Sequence, residues 1–379
     1  MKFGDEVVGR QNSVARVLGS SNQSTIETYN ARVKSWDAIV VGGGIIGLSL
    51  AISLRKHGLR VLVVERGQPG GEASSAAAGM LVGSGLESPP ALKPLSKESA
   101  RMYPEFVHEL EDESGMKVDL RDQGTILVSP EADLPDWAEL IPPNRLQAFE
   151  PELVSTSSAA YVAERSVDPR ALSAASLKAA RHHGVDISSG TEVTAVLTSG
   201  DRVTGIETDK TTYPAGTVVN CAGAWAGCVG RLKFPIRPVK GQMLALVGSP
   251  ALKHVVRAHN IYLVPRSDGR LVIGSTLEDA GYNKQTSPDT IQQLLQDALE
   301  LVPRLAEAKI HDDWAGLRPA TPDALPILGQ TAVQGYFVAS GHYRDGILLA
   351  PVTAQLVTEL VLGKPSIHDL TPFSPARFG

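Results

Sequence analysis

Apolar residues in this chain cluster in short runs, and glycines divide the runs. Trp36 to Val41 is apolar except for Asp37 and predicts a strand. Gly42, Gly43 and Gly44 follow at once. From Ile45 to His57 the apolar residues are broken by Ser and Lys at helical spacing, and Gly58 stops the run. Leu59 to Val64 predicts a second strand, ended by Glu65. Together they read as a βαβ unit of about 30 residues.

Beyond it, Arg66 to Gly71 is turn-rich, and Ser74 to Gly79 is a run of small residues. Ser96 to Gly115 predicts a charged helix and Thr125 to Val128 a strand. Trp137 to Pro151, with several prolines, reads as irregular. Asp168 and Pro169 are a cap and a helix-start proline, so a helix is expected from Asp168 to His183. Val185 to Ile187, Val193 to Thr198, Val203 to Thr208 and Thr211 to Tyr213 predict short strands, the last three spaced as an antiparallel meander. Val218 to Cys221 predicts a strand leading into Ala222 and Gly223. Strands dominate from Ile236 to Thr276, clearest at Gln242 to Val247, Ile261 to Pro265 and Leu271 to Gly274. The last two form a hairpin across Ser267, Asp268 and Gly269. Thr290 to Leu301 predicts a helix, Tyr336 to Ala339 a strand, and Ile347 to Leu362 a long helix.

Composition narrows the function classes. The 379 residues suit two or three domains, or one large α/β unit with an inserted layer. A net charge of −5, from 41 acidic and 36 basic residues, gives no reason to expect a nucleic-acid partner. No apolar run reaches the roughly 18 residues of a membrane span. Cys221 and Cys228 read as free thiols in a reducing, cytoplasmic setting. The nine histidines show no ligand spacing, so no metal is expected. Residues 1–35 are polar and lack the apolar core of a secretory signal; Asp5, Glu6 and Glu27 also argue against a transit peptide. They read as a flexible leader or an early start, or alternatively as a short amphipathic helix.

Val41 to Gly47 contains Gly42-x-Gly44-x-x-Gly47 directly after a strand and at the start of a helix, with Glu65 ending the next strand. That context makes it a dinucleotide fingerprint. Gly42 permits the tight turn, Gly44 lets backbone approach a pyrophosphate at the helix N-terminus, and Gly47 allows close helix–strand packing. Glu65 suits the ribose hydroxyls of an adenosine. The fingerprint alone does not separate FAD from NAD.

From about Asp37 to Pro365 the chain resembles the glycine oxidase and D-amino-acid oxidase family of flavoproteins, nearest to its glycine oxidase branch tied to thiamine synthesis. Val41 to Gly47, Ser74 to Leu81, Val219 to Trp225, Pro238 to Gly241, Tyr262 to Arg266, Trp314 to Pro319 and Gly341 to Pro351 carry the likeness. It implies an α/β fold: a discontinuous Rossmann-like FAD-binding domain plus a substrate domain with a large antiparallel sheet and flanking helices. The expected FAD-binding segments are 36–87, 163–235 and 320–365. The substrate domain would take 88–162 and 236–319, with a tail at 366–379.

By the same resemblance FAD is bound non-covalently. Its expected contacts are Gly42, Gly44, Ile45, Ile46, Gly47, Glu65, Arg66, Ser74, Ser75, Ala77, Ala78, Gly79, Met80, Val193, Ala222, Gly223, Trp225, His342, Arg344, Gly346, Ile347 and Leu348. Gly346, Ile347 and Leu348 would open the last helix, with its positive end toward the flavin. Small residues at 74–79 let backbone amides meet the cofactor. Gly223 to Trp225 is also readable as a plain strand-to-helix turn.

The resemblance assigns Arg318 as a fork for a substrate carboxylate and Tyr262 as a phenol contact, with Arg344 near the site mouth. Strand periodicity puts Tyr262, Val264 and Arg266 on one face. Read alone, Arg318 also fits a surface ion pair, Tyr262 a core tyrosine, and Arg344 a pair with Asp345. The implied reaction is oxidative deamination of glycine or another small amino acid to the imino and then the keto acid. Dioxygen is the acceptor and hydrogen peroxide the by-product, the imine serves thiazole synthesis, and the enzyme is a homo-oligomer. A D-amino-acid dehydrogenase and a sarcosine-type oxidase share every motif. A non-enzymatic FAD-bound partner in assembly or tRNA modification would not need the Arg318 and Tyr262 pair.

Overall fold

The alternating residues of Trp36–Val41 and Val61–Glu65 face two separate cores. Ala38, Val40, Val61 and Val63 meet the helices, whereas Ile39, Val41, Leu62 and Val64 pack with Val203, Ile206 and Ala215 on the other side. A sheet buried on both faces is what a parallel α/β arrangement requires. The computed structural model describes residues 35–86, 88–154, 157–230, 232–248 and 250–379. The leader reading lies outside the described residues, apart from Ser35.

Five strands of this sheet run parallel, in the order Tyr336–Ser340, Thr212–Asn220, Trp36–Val41, Val61–Glu65 and Asp186–Ser189. The C-terminal strand thus joins the N-terminal unit through Thr212–Asn220. Helices Ile45–Lys56, Lys93–Ser114, Pro169–His182 and Ala350–Val361 pack together on one face. Asp168 caps Pro169–His182 as expected, its side chain accepting from the Arg170 and Ala171 amides. Among the described residues, no helix is long and apolar enough to cross a membrane.

A second sheet has the order Lys309–Ala320, Arg237–Val247, Leu271–Gly274, Tyr262–Pro265, Val255–Arg257, Thr125–Ser129, Ser158–Val162 and Glu139–Ile141. All its pairs are antiparallel except Val255–Arg257 with Thr125–Ser129. One face packs Leu244, Leu263 and Ile273 against Ile291, Leu294 and Ala298 of helix Pro288–Leu301. Met243, Val264 and Val272 lie on the other face, beside Ala78.

Three expectations need correction, and one strand went unread. The 137–151 stretch is not irregular: it holds strand Glu139–Ile141 and helix Pro143–Phe149, because Pro142 and Pro143 stand at a helix start, where a missing N–H costs nothing. Thr211 to Tyr213 and Val218 to Cys221 are ends of one strand, Thr212–Asn220, which passes from the meander into the parallel sheet. Pro214 and Gly216 hide its continuity in the sequence. The last helix begins at Ala350, after a turn at 346–349. Lys309–Ala320 is a full strand, masked in the sequence by His311, Asp312 and Asp313.

Candidate active site

A cavity of about 1110 Å³ lies between the C-terminal ends of the parallel strands and the inner face of the second sheet. Ligands of open α/β sheets bind at such strand ends.

At one end the glycine turn makes the wall. Gly42 has φ +107°, and a Cβ there would stand 2.5 Å from the Cys221 carbonyl oxygen, so no side chain fits. Gly44 precedes the first helical residue, and the amide of Ile45 donates to Ser74 Oγ at 2.9 Å. The carboxylate of Glu65 accepts from the Gly43 and Gly67 amides, each at 2.7 Å, which fixes its direction. The Arg66 guanidinium sits 3.6 Å from the centre of the Trp225 ring, and Trp225 stacks on Tyr282 at 5.3 Å. Ile46, Val193, Ala222 and Gly223 complete this part. A bare-backbone turn at a helix N-terminus, with one fixed carboxylate, fits the dinucleotide portion of FAD.

Ala77, Ala78, Gly79 and Met80 carry the wall toward the second sheet. Trp314 Nε1 donates to the Ala76 carbonyl at 3.1 Å, which ties this segment to strand Lys309–Ala320. On the opposite side stand His342, Arg344, Gly346 and Ile347. Burial lowers the His342 imidazole from 6.5 to about 3, so it is neutral, and its Nε2 lies 3.1 Å from Thr353 Oγ1. Arg344 is exposed at the rim, 5.7 Å from the Tyr343 ring centre.

Three expected cofactor residues lie outside this wall. Gly47 serves packing, since a Cβ there would overlap the Gly42 carbonyl oxygen. Ser75 donates its hydroxyl to the Gly70 carbonyl. Leu348 is buried in the turn before the last helix, its carbonyl accepting from Ser99 Oγ at 2.6 Å. That turn, rather than a helix end, borders the cavity.

The register of the second sheet sets Trp314, Met243, Gly274, Tyr262 and Arg257 in one row, because directly paired residues share a face. The Tyr262 ring leans over Gly274, where a Cβ would be 2.9 Å from its hydroxyl oxygen. Arg318, four residues along from Trp314, lays its guanidinium over Gly241. Its Nη1 donates to the Thr276 carbonyl at 3.2 Å, and its Nη2 to Ser275 Oγ at 2.6 Å. Among the described residues Arg318 makes no ion pair within 4.0 Å. The fork and the phenol therefore end on adjacent residues, Gly274 and Ser275, inside one cavity.

Arg266 keeps to the face expected for it, beside Ala78, but its buried guanidinium is spent on the Val167 and Ala78 carbonyls and lies outside the cavity wall. Sequence reasoning also missed Met243, Arg257, Ser275 and Thr276 as wall residues. No local signal marks them. Gly241, inside one of the quoted motifs, is the readable hint that space is reserved beside Arg318, and Gly316, inside another, leaves room for Ala76.

Residues 37–360 match the family model described as FAD dependent oxidoreductase. The chain is 35% identical over 364 residues to the bifunctional protein ThiO/ThiG of Trichormus variabilis, covering 90% of this chain and 55% of that protein. It thus spans about half the length of that relative. It is 32% identical to the hydrogen cyanide synthase subunit HcnC of Pseudomonas aeruginosa, over 91% of this chain and 97% of the relative. Its fold is similar to the crystal structure of glycine oxidase from Geobacillus kaustophilus, with TM-score 0.86 and 33% identity over 90% and 99% of the two chains. A family model that runs from Asp37 to Leu360 takes in both sheets and both walls of the cavity, and this chain belongs to the family it describes, the FAD dependent oxidoreductases.

Proposed function

We propose that this chain oxidises glycine or another small amino acid to the imino acid, which hydrolyses to the keto acid and ammonia. The observation that carries this reading is the convergence of Arg318 and Tyr262 on the Gly274–Ser275 segment. A guanidinium with two of its five N–H donors anchored on Thr276 and Ser275 keeps others for a carboxylate. Two parallel charge-assisted bonds orient the carboxylate, and the Tyr262 hydroxyl adds a third contact. Fixing the acid end fixes the α-carbon, which is the main task left to the protein.

Bound FAD supplies the two-electron acceptor, and dioxygen as final oxidant gives hydrogen peroxide. Gly42, Gly44, Ile45, Ile46, Glu65, Arg66 and Trp225 would hold its dinucleotide portion, and Ala77 to Met80 would border the ring. No side chain is needed as a base on carbon. His342 is neutral but sealed against Thr353, so the ammonium proton leaves to solvent. Delivery of the imine to thiamine thiazole synthesis is part of this proposal.

The test is a substrate panel of glycine, sarcosine, D-alanine, D-proline and L-amino acids, following oxygen uptake and flavin bleaching together. Glycine or sarcosine should bleach the flavin and consume oxygen. Bleaching by D-amino acids with electrons passed only to a quinone or dye would replace this reading with a dehydrogenase.

A further inference from the structure

Arg266 is a buried cation that the site chemistry leaves unused. It follows strand Tyr262–Pro265 and is 5% exposed. Its Nη1 donates to the Val167 carbonyl at 3.1 Å, and its Nη2 donates to the Ala78 carbonyl at 2.5 Å. The Val167 amide in turn donates to the Gly79 carbonyl at 2.9 Å. Two consecutive carbonyls of the cavity-lining segment are therefore held, one of them by a charged fork reaching across from the other sheet.

A neutral donor would serve for packing alone, and burying a guanidinium is costly. The charge is balanced nearby by Asp168. Burial pushes the Asp168 carboxyl up, but the charge of Arg266, the Arg170 and Ala171 amides and Arg270 together hold it below the usual range. Asp168 itself pairs with Arg270 at 2.7 Å, which leaves the Arg266 fork to the two carbonyls.

In a trans peptide the carbonyl and the following N–H point in opposite directions. Drawing the Ala78 carbonyl toward Arg266 therefore turns the Gly79 N–H away from Arg266, and Ala77, Ala78, Gly79 and Met80 line the cavity. Gly79 has φ +79°, and a Cβ there would run into the Val167 carbonyl, so only glycine can hold this pose. We propose that Arg266 is a positioning residue for the flavin: by fixing the Ala78–Gly79 peptide it presents the Gly79 N–H to the bound ring and raises the ring's electron affinity. This rests on the flavin reading of the cavity and not on any particular substrate.

The experiment compares wild-type holoenzyme with R266K. Lysine keeps the charge but cannot fork onto two carbonyls. The readouts are flavin content, the reduction potential of the bound flavin, and the dissociation constant for sulfite, which adds reversibly to oxidised flavin without any amino acid. R266K should keep its flavin, show a more negative potential, and bind sulfite about tenfold more weakly, the lower range for losing a residue that orients a primary ligand. For glycine, kcat should fall with little change in KM. Wild-type potential and sulfite affinity in yellow R266K overturn the inference alone. If R266K does not fold, R266Q is measured the same way, and failure of both to hold flavin makes Arg266 a folding residue and overturns it too. A wild-type chain that takes up no flavin overturns the cofactor reading and this inference with it.

Discussion

The guanidinium of Arg318 occupies the space that a side chain at Gly241 would need: a Cβ built there stands 2.6 Å from Cζ of Arg318. The two residues lie on paired strands, Gly241 opposite Gly316 and Arg318 opposite Val239. Gly241→Ala should therefore displace the fork while leaving the fingerprint untouched. The expected outcome is full flavin content with kcat/KM for glycine lowered about 100-fold, the scale of a roughly 1 Å misplacement. Unchanged kinetics would mean that the fork moves aside without loss.

Arg318→Ala should keep FAD, because the fingerprint is elsewhere, and cut kcat/KM by roughly 100-fold or more, in line with about 2–5 kcal/mol for a truncated charged pair. Lysine should rescue only part, since it keeps the charge and loses the two-pronged geometry. Anaerobic flavin reduction by glycine, with benzoate as a carboxylate probe, measures both. Wild-type reduction and benzoate affinity in R318A would move the carboxylate role elsewhere, with Arg344 the next residue to change.

Gly42→Ala should abolish flavin binding. The substitution meets both a φ of +107° and the Cys221 carbonyl oxygen at 2.5 Å, so the turn itself must shift. The check is the ratio of acid-released FAD to protein. A yellow G42A preparation with wild-type stoichiometry would contradict the cradle described above.

Burial holds His342 neutral, with its pKa lowered from 6.5 to about 3. The unfolded chain binds this proton below about 6.5 and the folded chain does not until about 3. Its contribution to stability is thus intact above about pH 6.5 and is lost progressively as pH falls from there toward 3. Between about pH 7 and about pH 5 the loss is on the order of 2 kcal/mol. Thermal melts of wild type and His342→Asn at several pH values test it: the variant should lose less stability on acidification. Parallel pH dependence in the two would show that His342 takes up its proton in the folded state.

Local chemistry was enough for the parts of this protein whose physics is local. A strand, three glycines, a helix and Glu65 within one stretch dictate the nucleotide turn, because φ sign and steric access belong to single residues. The Asp168–Pro169 helix start and the Tyr262–Gly274 hairpin were readable for the same reason. The small-residue run at 74–79 announced close approach without saying to what. Strand pairing is a different kind of fact, since register is set by contacts between residues far apart in the chain. Only the folded sheet lays Arg318 over Gly241 and Tyr262 over Gly274. Only it carries Arg266, on the face it shares with Tyr262, onto the Ala78 carbonyl. Lys309–Ala320 hid as a strand because its exposed half carries charge, and the last helix begins late because the turn before it is fastened by Ser99 and Tyr103 of another helix. The sequence by itself determined the family of the fold and the cradle for a dinucleotide; the tertiary structure decided which side chains meet in the cavity, because that depends on partners no local pattern contains.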